Sequence, residues 1–102
     1  MQFSIPSDHP CLPGHFPGRP LVPGVVLLER VLQAVAGETG HAVGALRLPQ
    51  VKFMAPLLPG EAAQVELEGS GPRWKFRVLC GQRLLVRGEL VLIEDGTLHE
   101  RN

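Results

Sequence analysis

The sequence predicts an α+β domain in which an antiparallel β-sheet wraps around one long central α-helix. Three observations lead there. A single apolar run of helical length, VVLLERVLQAVAGETG, follows Pro23. Several segments after Val43 alternate apolar and polar residues between glycine-bearing turns. The opening residues, MQFSIP, alternate weakly in the manner of a short strand. A lone apolar helix has to be covered on several sides, and a curved antiparallel sheet does this. The 102 residues make one domain, 1–102, large enough for a single core and small enough to gain from association.

After MQFSIP comes a stretch rich in proline and glycine. Pro10, Pro13, Pro17, Pro20 and Pro23 alternate with Gly14, Gly18 and Gly24. Proline fixes φ and glycine permits conformations closed to other residues, so the stretch reads as a loop of one shape. Leu12, Phe16, Leu21 and Val22, set between the prolines, separate it from a solvated linker. The helix is expected from about residue 23 to 38, with Pro23 in its first turn and Gly37 or Gly40 at its C-terminal cap. Spaced at 100° per residue, Glu29, Arg30 and Gln33 share a polar wedge, while Leu27, Leu28, Val31, Leu32, Ala34 and Val35 cover most of the remainder.

From Val43 the chain reads as strands. LRLPQVKFMAPLLPGE ends in the Pro59-Gly60 turn, and AAQVELEG alternates Val65 and Leu67 with Glu66 and Glu68. GSGP (69–72) is a turn. RWKFRVLC places Trp74, Phe76, Val78 and Cys80 on one face and Arg73, Lys75 and Arg77 on the other. Gly81-Gln82 suits a type II′ hairpin. RLLVRGELVLI returns with Leu84, Val86, Gly88, Leu90 and Leu92 on one face, and the tail from Glu94 is polar.

Ten basic and ten acidic side chains leave no net charge, so no electrostatic case arises for nucleic acid or an anionic membrane. No leader-like segment opens the chain and no apolar run approaches the ~20 residues of a membrane span, which makes a cytoplasmic protein the expectation. Cys11 and Cys80 have neither a disulfide framework's number nor metal-ligand spacing, Asp8 and His9 lack a suitably spaced partner, and His41, just after the helix end, reads as a surface or cap residue. The acid–base candidates are His15, on the stiffened loop, and Glu29, in the middle of the apolar helix, where a carboxylate is costly unless paired or protonated. The plainer alternative is that the wedge is a thin solvated stripe.

GHFPGRPLVPGVVLLE, from Gly14 to Glu29, resembles the GHFPGxPxxPGxxxxE signature of the hotdog-fold 3-hydroxyacyl-[acyl carrier protein] dehydratases. Gln33 falls at the place of that family's helix glutamine, and VKFMAPLLPGE (51–61) looks like its strand with Phe, Pro and a Pro-Gly turn. The likeness spans roughly residues 3 to 93 and is nearest to short members of aryl-polyene or pigment pathways. Arg30 stands where the family more often has a small residue. The resemblance implies a hotdog fold, a homodimer with sites at the interface, and dehydration of a (3R)-3-hydroxyacyl thioester on acyl carrier protein to the trans-2-enoyl thioester.

In that reading His15 is the base, with an unperturbed pKa of about 6.5. Glu29 is the acid, its apolar setting favouring the protonated form. The backbone N–H of Gly24 stabilises the thioester oxygen, as helix N-termini can, and Gln33 orients the acid or its water. Phe16, Val25 and Leu28 are expected along the acyl tunnel. Arg73, Lys75, Arg77, Arg83 and Arg87 are candidates for docking the acidic carrier, though they alternate as any wet sheet face does. No metal or cofactor is implied. The alternatives are an acyl thioesterase, a double-bond isomerase side activity of the same histidine, and a non-catalytic carrier-binding subunit that keeps the fold.

Overall fold

A computed structural model describes residues 1–6, 21–40 and 43–93. Its elements are β1 (Gln2–Ser4), α1 (Gly24–Thr39), β2 (Leu46–Phe53), β3 (Ala62–Ser70), β4 (Arg73–Cys80) and β5 (Arg83–Leu92). The five strands form one antiparallel sheet in the order β1-β3-β4-β5-β2, and α1 packs across β3 and β4. This is the antiparallel sheet with a single packed helix expected from the sequence.

Alternation along the strands sorts the two faces. Val65, Val78, Val86 and Phe53 make one row across the inner face, and Leu67, Phe76, Gly88 and Val51 make the next. Val65, Val78, Val86 and Phe76 are buried with Val26, Leu27, Val31 and Val35 of the helix, and Leu67 and Val51 pack half-buried against them. Gly88 is required by space: a Cβ there would run into the carbonyl oxygen of Gln50 on β2 and lie 2.8 Å from Cζ of Phe76. The Phe76 ring therefore fills the hollow that glycine leaves in its own row.

Strict alternation fails at one point. Between Val78 and Leu79 the β4–β5 register shifts, so that Leu85 is the extra residue, and it is fully buried. Alternation would have turned Leu85 outward, to the face opposite Leu84 and Val86; the bulge turns it into the core. Its carbonyl accepts from the N–H of Met54 at 2.7 Å and of Ala55 at 3.2 Å, which anchors the chain as it leaves β2.

The helix ends also differ in detail from expectation. Pro23 is the extended N-cap residue (φ −61°, ψ 144°) instead of the first helical residue. Gly37 lies inside the helix, and Gly40, at φ 85°, closes it by donating its N–H to the Ala36 carbonyl at 2.9 Å. At the β4–β5 hairpin Gly81 takes φ 62°, as the first central residue of a primed turn must.

Residues 57–60 hold both flanks of the proline-glycine stretch. The N–H of Val22 donates to the Leu57 carbonyl at 2.9 Å, and the N–H of Gly60 donates to the Ile5 carbonyl at 2.8 Å. Ile5 and Leu57 are fully buried. The same turn is tied to the hairpin: Glu61 accepts from the Leu58 N–H at 2.9 Å and from Arg83 at 3.0 Å, and these bonds hold its carboxyl below the ordinary carboxylate value.

Candidate active site

The first helical turn carries no side-chain cap and no acidic residue. Pro23 supplies neither a hydroxyl nor a carboxylate, so early amide donors of α1 are left without a capping side chain, at the positive end of the helix dipole. Gly24, the expected oxyanion residue, opens this turn. Its Cα is not bare, however. A Cβ at Gly24 would lie 2.5 Å from Cε1 and 2.8 Å from Cζ of Phe53, so the aromatic ring lies against the helix start. The space a side chain would fill at Gly24 is taken by this ring, so an edge-strand phenylalanine joins the site. Its signal in the sequence was there, in the VKF segment and in Phe53 ending the inner row on β2, but only the tertiary fold brings that row's end to Gly24.

Glu29 is exposed in the single chain, as are Val25, at 61%, and Gln33. The three are four residues apart and form one outward stripe. The expectation of a carboxylate sunk within its own chain is thus not met. The reason is geometric: α1 turns Val26, Leu27, Val31 and Val35 to the sheet, which covers one side of the cylinder only. Leu28, half-buried, lies at the margin of that side, whereas Val25 is open. Two further apolar side chains are open near the helix start, Phe53 and Met54, each at 55%.

Arg30, placed in the polar wedge by its spacing, instead turns toward β1. Its guanidinium carbon lies 5.8 Å from the Phe3 ring centroid, and Nη1 donates to Oε1 of Gln33 at 3.1 Å. A groove of about 300 Å³ opens beside Gln33, lined also by Ala34, Gly37, Val65 and Leu67. A larger hollow, about 700 Å³, lies on the outer, charged face of the sheet, away from Gly24 and Glu29. Three ion pairs mark that face and the adjoining turn: Arg77 with Glu66, Arg73 with Glu89 at 3.5 Å, and Arg83 with Glu61 at 3.0 Å. His15 and Phe16, together with His9, Cys11 and His41, lie outside the described residues. Among the described residues no cluster of side chains suits a metal ion, and no helix is long and apolar enough to cross a membrane.

Comparison with known proteins gives this arrangement its relatives. The fold is similar to a chain in the dehydratase heterocomplex ApeI:P from Xenorhabdus doucetiae, with a TM-score of 0.74 and 26% identity over 91% of this chain and 84% of that one. It confirms the hotdog architecture. The sequence is 29% identical over 100 residues to the 3-hydroxyacyl-[acyl-carrier-protein] dehydratase FabZ of Agrobacterium fabrum, covering 90% of this chain and 64% of the relative. Against the FabZ of Bradyrhizobium sp. BTAi1 it is 37% identical over 85 residues, covering 72% and 56%. The matched region thus spans less than two thirds of these relatives' length. The family model described as ApeI-like, ApeI dehydratase, matches residues 1–89, and the chain belongs to that ApeI-like dehydratase family.

Proposed function

We propose that the protein dehydrates a (3R)-3-hydroxyacyl thioester, carried on acyl carrier protein, to the trans-2-enoyl thioester. The observation that carries this reading is the outward stripe Val25–Glu29–Gln33, which sets a carboxylate in the middle of a mostly apolar helix, about a turn and a half from an uncapped N-terminus. The reaction removes a weakly acidic α-proton and expels hydroxide, so it needs a base, an acid and a site for oxygen charge. His15 takes the α-proton, and the electron pair moves toward the thioester oxygen, which the Gly24 N–H receives. As the Cα–Cβ double bond forms, the Cβ–O bond breaks and Glu29 gives its proton to the departing hydroxyl, releasing water. The imidazolium and carboxylate left behind return to their starting forms by proton exchange. Phe53 and Val25 flank the apolar approach for the acyl chain.

An exposed acid suits this chemistry once a second protomer covers it. Open Val25, Phe53 and Met54 on the uncovered side support a homodimer, in which each loop presents His15 to the other protomer's Glu29. The sheet's outer face suits an acidic carrier. By register, Arg47, Lys52, Arg73, Lys75, Arg77 and Arg87 share it with only three carboxylates, Glu66, Glu68 and Glu89. Arg77, Arg87 and Lys52 stand in one cross-strand row, an unfavourable order of like charges that an acidic partner relieves. Arg83, tied to Glu61, is a poorer docking candidate than Arg87, Arg47 and Lys52, which make no ion pair among the described residues.

A second reading is favoured by one feature. Edge strand β2 carries Arg47 and Lys52, no acid, and Pro49 at mid-strand, so two copies of this edge repel and lack a donor. The similar solved chain comes from a dehydratase heterocomplex. A mixed pair with a different hotdog chain is the rival assembly, and a non-catalytic role in such a pair is the rival function. Native mass measurement of the purified protein decides the assembly. Incubation with 3-hydroxyacyl carrier-protein thioesters, followed by enoyl absorbance and thiol release, decides the function. Enoyl formation that is lost in both His15→Ala and Glu29→Gln supports the acid–base pair. Undiminished turnover in both, or release of free thiol in place of enoyl product, rejects it.

A further inference from the structure

Arg30 is an unusual residue on α1: a half-buried cation that makes no ion pair with a carboxylate among the described residues. Its Nε is buried and has no acceptor there. What holds the side chain is the Phe3 ring, 5.8 Å below the guanidinium carbon, and what it holds is Gln33, through the 3.1 Å bond from Nη1 to Oε1. We infer that Arg30 is a positioning residue that acts through Gln33 to set which end of that amide faces Glu29. The inference rests on the dehydratase reading and adds a residue to it.

A glutamine amide has one accepting end and one donating end. With Oε1 committed to the guanidinium, the NH₂ end is the one left free. Glu29 precedes Gln33 by four residues, a neighbouring position on the helix surface. The amide therefore offers Glu29 a donor. In the proposed step Glu29 starts protonated and finishes as a carboxylate, and an N–H donor stabilises the carboxylate more than the acid. Gln33 held in this orientation draws the proton transfer forward. Without Arg30 the amide is free to turn and offer its oxygen to the protonated acid, which retains the proton. The stacking on Phe3 matters because an exposed pair spaced i, i+3 is weak by itself, whereas a guanidinium seated on an aromatic ring is already confined.

The test is a double-mutant cycle on the full chain with a 3-hydroxyacyl carrier-protein thioester. Arg30→Met keeps the apolar stem and removes the donors; it should lower kcat about tenfold with KM within about twofold, as expected for loss of an interaction felt in the transition state. Arg30→Lys, which can still donate to Gln33, should recover most of kcat. In a Gln33→Ala background, Arg30→Met should cost nothing more. A loss that adds in full to that of Gln33→Ala is what a general folding defect produces, and it overturns the assignment, as does an unchanged kcat in Arg30→Met. Absence of turnover in the unaltered protein is a different failure, because it removes the dehydratase reading and this role with it.

Discussion

The two sides of α1 are finished to different standards. On the sheet side Val26, Leu27, Val31 and Val35 are buried, and the strands opposite supply Val65, Phe76 and Val78 to meet them. On the open side Val25, Glu29, Gln33 and Gly37 meet nothing of comparable area among the described residues. Gly37 shows this most plainly: beyond its own helix, a Cβ there would find no atom of the described residues within 4 Å. Gly88, on the sheet, has the opposite surroundings, with backbone and a ring against the position a Cβ would take. One side of the helix is explained by this chain's own packing. The other carries a valine and a carboxylate whose company the described residues do not provide, which is the condition expected of a surface completed by a second subunit.

Substitutions on the two sides sharpen the contrast. The largest effect on stability belongs to the sheet side. Leu27→Ala removes a buried side chain and leaves a cavity, so chemical denaturation should show a loss of about 2–5 kcal/mol. On the open side, Val25→Asp should leave the fold of the separate chain within about 0.5 kcal/mol of the original, as exposed substitutions do. It should nevertheless weaken subunit association by about tenfold or more, read by sedimentation across a concentration series. A large loss of fold stability in Val25→Asp, with association untouched, breaks the comparison. The smallest effect is at Gly37→Ala, which should raise stability by about 0.5–1 kcal/mol through helix propensity alone, since no neighbour stands in the way. A decrease there would mean that the open side is closely covered after all.

The edges of the sheet teach a related lesson. β1 is a three-residue strand whose start is tied down, the Met1 amine donating to the Val65 carbonyl at 3.1 Å. β2, at the other edge, is eight residues long and is left with Pro49, Arg47 and Lys52 along it. A short tethered edge needs no further protection, whereas a long one carries the proline and cations that discourage indiscriminate pairing. Phe53 and Met54, open at the end of β2 and beside Gly24, join this edge to the exposed stripe of α1.

Much of this was legible from residue order alone, because the relevant forces are local. The helix, the alternation on β3 and β4, the turn glycines and the segment from Gly14 to Glu29 are each written in neighbouring residues, where period, φ preference and spacing act directly. Tertiary structure decided what depends on residues far apart in the chain. It placed the Phe53 ring on Gly24, inserted Leu85 into the core through a bulge, and moved Arg30 out of the polar wedge onto Phe3. It also decided that Glu29 faces outward, since helical period specifies which residues share a side of a cylinder but not how many sides the sheet covers. That number is set by the size and curvature of five strands, and five strands of this length enclose one side of a sixteen-residue helix.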